Sequence, residues 1–141
     1  MRAVLQVTFL LTLILSVGFA DSFREKKLIS LKKDEQKKIL VEYGAQKKLF
    51  KFRWTLYKNE GLVIFRSYDR IVAQNILFLN HNNQSFRLEL KGKGADYNVP
   101  YILVQFQKFD YEKKSAIFEL FLADKSGQVQ LKYLDEKAKK N

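Results

Sequence analysis

Residues 31–43, LKKDEQKKILVEY, can be read as one helix or as extended chain, and the fold class turns on which it is. Ser30 stands at an N-cap position, Asp34 and Glu35 sit early, and Gly44 follows Tyr43 as a C-terminal stop. Gln36, Ile39, Leu40 and Tyr43 recur at i, i+3, i+4 and i+7, which lines one stripe of a helix. Lys38 can pair with Asp34 or Glu42 at four-residue spacing. The spacing predicts a single short helix over 31–43, packed on the elements C-terminal to it.

From Leu49 onward the period is different. Phe50, Phe52, Trp54 and Leu56 alternate with Lys51, Arg53, Thr55 and Tyr57, which sends the two sets to opposite faces of a strand. Asn59, Glu60 and Gly61 supply a turn. Further strands are expected at Leu62–Phe65, Ile71–Leu79, Phe86–Leu90, Ile102–Phe106, Ser115–Ala123 and Gln128–Tyr133, mostly joined by short polar turns. Short connections imply antiparallel neighbours, because parallel pairs need long crossovers. Leu62–Phe65 and Ser115–Ala123 carry apolar residues on both faces and need cover on both. The expected fold is therefore α+β: an N-terminal helix packed on a seven-stranded antiparallel meander, as a strongly curved sheet or small barrel.

The other end of the chain is a separate object. MRAVLQVTFLLTLILSVGFA has a basic start at Arg2, an uncharged apolar run from Ala3 to Ala20, and small residues Gly18 and Ala20 before Asp21. That is the anatomy of a signal peptide. The alternative is an uncleaved inner-membrane anchor through residues 3–20, and Arg24, Lys26, Lys27, Lys32 and Lys33 just beyond it fit such an anchor. The organisation expected is a signal peptide at 1–20, a basic N-terminal segment with the helix at 21–48, an antiparallel β domain at 49–134 and a frayed basic tail at 135–141. Export without cysteine leaves packing alone to hold the domain, and suits a periplasmic or secreted setting.

The common catalytic routes find no support. With no cysteine and a single histidine, His81 in the turn NHNNQ, neither a thiol nucleophile nor a clustered zinc site can be assembled. Asp110 and Glu112 share a hairpin turn rather than a pocket, and Gly92–Gly94 lacks the spacing of a phosphate-binding loop. Asn83-Gln84-Ser85 matches a glycosylation acceptor, which carries nothing in a bacterial compartment. No enzyme activity, metal or cofactor is expected.

Charge is the remaining signal. Residues 21–58 carry twelve basic and five acidic side chains, whereas residues 59–136 carry ten of each. The expected function is a non-enzymatic interaction module, part of or accessory to a cell-envelope assembly. Its basic face comprises Lys32, Lys33, Lys37, Lys47, Lys48, Lys51 and Arg53. The partner is an acidic envelope protein or anionic surface, with peripheral membrane contact and oligomers allowed and nucleic acid excluded by export. The second reading is a carrier of a lipid or other apolar ligand within a curved, phenylalanine-rich sheet. Lysines attract an anionic surface by only about 1 kcal/mol each, so a partner must also find apolar contact.

Overall fold

Residues 31–43 are not helical. The computed structural model describes residues 23–90 and 99–134, and among them it holds nine strands and no helix. In chain order these are β1 (Glu25–Lys32), β2 (Lys37–Tyr43), β3 (Gln46–Lys58), β4 (Gly61–Tyr68) and β5 (Ile71–Phe78). Then come β6 (Ser85–Glu89), β7 (Tyr101–Asp110), β8 (Ser115–Ala123) and β9 (Val129–Tyr133). The expected signal segment 1–20, the glycines of 91–98 and the tail 135–141 lie outside the described residues. Among those described, no helix is long and apolar enough to cross a membrane.

The helix is replaced by β1, a tight turn and β2. In the turn Asp34 takes a positive φ of 62°, and the Glu35 N–H donates to the Lys32 carbonyl at 3.0 Å. The Glu35 carboxylate, read as part of a helix start, instead accepts from the Lys32 N–H at 2.9 Å. Ile39 and Val41, two apart and both β-branched, are fully buried, which is the period of a strand. The competing helical stripe loses because β2 finds hydrogen-bonded neighbours on both sides, β3 and β9. Gly44, at φ 59°, makes the turn into β3.

The single meander is also overturned. The strands form two antiparallel sheets, ordered β1-β8-β7-β6 and β5-β4-β3-β2-β9. The chain changes sheet between β1 and β2, between β5 and β6, and between β8 and β9. At the second crossing, Gln84 clamps the loop to β7. Its carbonyl accepts the Phe106 N–H at 2.9 Å, and its side-chain amide donates to the Phe106 carbonyl at 2.7 Å. A loop fastened to the opposite sheet cannot return a strand beside β5. Stacking the two sheets covers one face of the strands with two apolar faces, while Val63, Phe65, Ile117 and Phe121 stay half-buried on the outer faces.

Phenylalanines fill the space between the sheets. Phe50 and Phe52 stack at 5.4 Å, and Phe118 meets Phe52 edge-on at 5.5 Å from the other sheet. Phe86 packs edge-on against both Phe50 and Phe52. Phe50, Phe52, Phe106 and Phe118 have no exposed surface.

Candidate interaction surfaces

The outer face of the five-stranded sheet is set by register. Lys38 stands opposite Lys51, Leu40 opposite Leu49, and Glu42 opposite Lys47 across β2 and β3. On the other side of β2, Lys132 of β9 stands opposite Leu40. Successive residues alternate faces and Ile39 and Val41 are buried, so all of these side chains share the outer face. The result is a pair of leucines ringed by Lys38, Lys47, Lys51 and Lys132. Leu49 is 37% exposed. Glu42 is the acidic member of the ring, and Lys132 Nζ lies 3.0 Å from its carboxylate.

The seven expected site residues do not converge. Lys47, Lys51 and Arg53 share the outer face of β3, with Arg53 loosely paired to Asp34 at 3.7 Å. Lys32 and Lys33 are exposed where β1 turns toward β2, at the end of the sandwich opposite the β2–β3 turn beside Lys47. Lys48 has the inward parity of Phe50, and its amine pairs with Asp69 at 3.2 Å. Lys37 is buried, with its amine 5.4 Å from the centre of the Tyr133 ring. Lys37 therefore does not belong to a solvent-facing basic face. Lys132 belongs to the face because β9 joins β2, although it lies in the charge-balanced part of the sequence.

Sequence reasoning also missed an aromatic cluster at one end of the sandwich. Register shifts between Trp54 and Leu56 in β3, and between Phe106 and Lys108 in β7, each insert one extra residue. Past each bulge the alternation inverts. Leu56 turns out to 49% exposure, while Tyr57 and Phe109 turn in and stack at 4.3 Å, nearly parallel. Trp54 meets Phe109 edge-on at 5.5 Å, and the Tyr57 hydroxyl lies 3.3 Å from that of Tyr111. Burial, then the Tyr111 hydroxyl, push the Tyr57 phenol up to about 12. Tyr57 thus stays neutral across the physiological range.

A third feature is a groove of about 190 Å³ at the lateral opening between β4–β5 and β6, lined by Phe50, Arg66, Tyr68, Ile71 and Leu88 among others. Arg66 donates through Nε to Asn75 Oδ1 at 2.7 Å, and its guanidinium lies over the Phe86 ring at 4.8 Å. Burial lowers its pKa, though an arginine remains charged. Tyr68 donates to the Leu90 carbonyl at 3.0 Å, and its phenol is pushed up to about 12 by burial and then by Asp69.

Comparison with protein-family models, curated proteins and solved structures returns no match. The surfaces themselves are what speak to function. Among the described residues no group of three or more histidine, aspartate or glutamate side chains could hold a metal ion. His81 is exposed in its turn, with its ring 5.8 Å from that of Phe78. What the outer face can do is bind: cations surround an apolar centre, the arrangement of a polar rim around a contact core.

Proposed function

We propose that the protein is an exported, non-enzymatic interaction module of a cell-envelope assembly, and that it docks an acidic partner protein on the outer face of β2, β3 and β9. The observation that carries this reading is the Leu40–Leu49 pair framed by Lys38, Lys47, Lys51 and Lys132. Attraction by lysine alone is weak, and this face adds the apolar contact that a specific partner requires. Export rests on the signal-like anatomy of residues 1–20. The carrier reading gains nothing from the interior, whose centre is occupied by four phenylalanines.

The test is capture of partners from the native envelope by the wild-type chain and by a Lys47→Glu, Lys51→Glu, Arg53→Glu variant. Binding to the captured acidic protein is expected to weaken about tenfold or more, because like-charge juxtaposition across an interface costs several kcal/mol. It is also expected to fall as salt shortens the screening length to about 8 Å. Lys108, Lys113 and Lys114, exposed on the other sheet and its turn, are the charge-matched controls. Unchanged binding by the β3 variant, or equal loss from the control set, contradicts this face. Binding to anionic vesicles in place of any protein would assign the face to a membrane surface instead.

A further inference from the structure

The edges of the two sheets differ in charge. β1 carries Lys26, Lys27 and Lys32, β6 carries Arg87 and Glu89, and β9 carries Lys132. Charged side chains on an edge discourage pairing with another chain. β5, with the sequence IVAQNILF, is the described edge strand that carries none. Its outward side chains include Val72 at 71% and Ile76 at 45% exposure. Ile76 also ends an aliphatic row that runs across the sheet from Leu56 through Val63 to the edge.

Backbone geometry says which part of that edge is open. The Phe78 N–H donates to the Asn83 carbonyl at 3.2 Å, and the Asn83 side-chain amide donates to the Ile76 carbonyl at 3.2 Å. Phe78 and Ile76 thus turn these groups away from β4, and Asn83 closes that end of the edge. Alternation then makes Val72 and Gln74 the other residues whose N–H and C=O point outward. No bond from the described residues reaches them.

We propose that the protein forms a two-fold dimer by antiparallel pairing of β5 with β5 of a second copy, centred on Ala73. In that register Val72 of each copy lies opposite Gln74 of the other, short of the end that Asn83 closes. The outward backbone groups of Val72 and Gln74 satisfy one another across the two copies, and the five-stranded sheet continues into that of the second copy. An isologous interface must be self-complementary, and this uncharged strand is. Charge selects a second copy over a foreign acidic chain. The formal charge of +11 opposes contact between copies wherever lysines face outward. The outer residues of β4 next to the edge are Val63, Phe65 and Ser67, so two copies meet here without opposing lysines. An acidic partner would find no cation on β5 itself.

The test is sedimentation of the exported protein from low to high micromolar concentration. Wild type is expected to show a reversible monomer–dimer equilibrium. Gln74→Lys places two like charges diagonally across the two-fold axis, within reach of one another, and is expected to raise the dissociation constant about threefold or more. Gln74→Glu is expected to do the same. Gln74 is exposed on the outer face, so the far-ultraviolet dichroism of both variants should match wild type. Mixing the two variants pairs opposite charges and is expected to restore a dimer at least as tight as wild type. A wild-type chain that stays monomeric, a Gln74→Lys chain that dimerises as well as wild type, or a mixture that fails to recover would each overturn the proposal.

Discussion

Trp54→Ala is expected to cost about 3–5 kcal/mol of folding stability, the range for truncating a buried aromatic side chain. Trp54 is 4% exposed, and its indole N–H donates to the Leu31 carbonyl of the opposite sheet at 2.7 Å. The Asp34 N–H donates to the Trp54 carbonyl at 2.9 Å, so this residue ties β3 to the crossing between β1 and β2 from both its side chain and its backbone. Truncation opens a cavity against Phe109 and strands the Leu31 carbonyl. Against a typical domain stability of about 5–15 kcal/mol, the loss is a large fraction of the whole. Trp54→Phe retains most of the apolar volume but not the donor, and is expected to cost about 1–3 kcal/mol. Since Trp54 is the only tryptophan, urea unfolding followed by far-ultraviolet dichroism is the suitable measurement. Midpoints equal to wild type for both variants would mean that Trp54 does not join the sheets.

Asp124 is the matching tie at the crossing between β8 and β9. Its carboxylate accepts from the Ser126 N–H at 3.1 Å, the Ser126 hydroxyl at 2.6 Å, the Val129 N–H at 2.9 Å and Arg24 at 3.0 Å. Arg24 also donates to the Val129 carbonyl, and its N–H reaches the Leu122 carbonyl at 2.9 Å. One carboxylate therefore joins the entry to β1, the end of β8 and the start of β9. Asp124→Ala is expected to cost about 3 kcal/mol, the low end for breaking a buried pair because Arg24 is partly solvated.

The pH dependence comes from the same bonds. Burial works to raise the Asp124 pKa, but the bonds from Ser126 and Val129 and the charge of Arg24 outweigh it, so the folded value lies below the ordinary one. A depressed carboxylate pKa contributes stability that is present above the unfolded value near about 4 and is lost as pH falls through the folded value. The gap between wild type and Asp124→Ala should narrow on acidification through that window. A gap independent of pH would show that Asp124 acts by packing alone.

How much of this was legible in the sequence depended on whether local pattern or distant pairing decided each element. The alternation Phe50-Phe52-Trp54 marks both the strand and its buried side, and Phe86 with Leu88 does the same in β6. The pattern fails a few residues later, because the extra residue between Trp54 and Leu56 inverts the faces and nothing in Thr55-Leu56-Tyr57 announces it. Residues 31–43 carry both periods at once. The inward set of β2 begins with a lysine, Lys37, which disguises the strand, while Asp34 and Glu35 serve a turn as readily as a helix start. The deciding partner was β9, about ninety residues further along, whose pairing with β2 no local signal reveals. The ring of lysines around Leu40 and Leu49 was illegible for the same reason, since it exists only once β9, β2 and β3 are in register.

That register is the foundation of the docking face, and cross-strand proton contacts measured by nuclear magnetic resonance test it most directly. It predicts close backbone contacts from Val41 to Lys48 on one side and to Leu131 on the other, with extended chemical shifts throughout Lys37–Tyr43. Helical shifts and i-to-i+3 contacts over residues 31–43, with no contact from Val41 to Leu131, would contradict it.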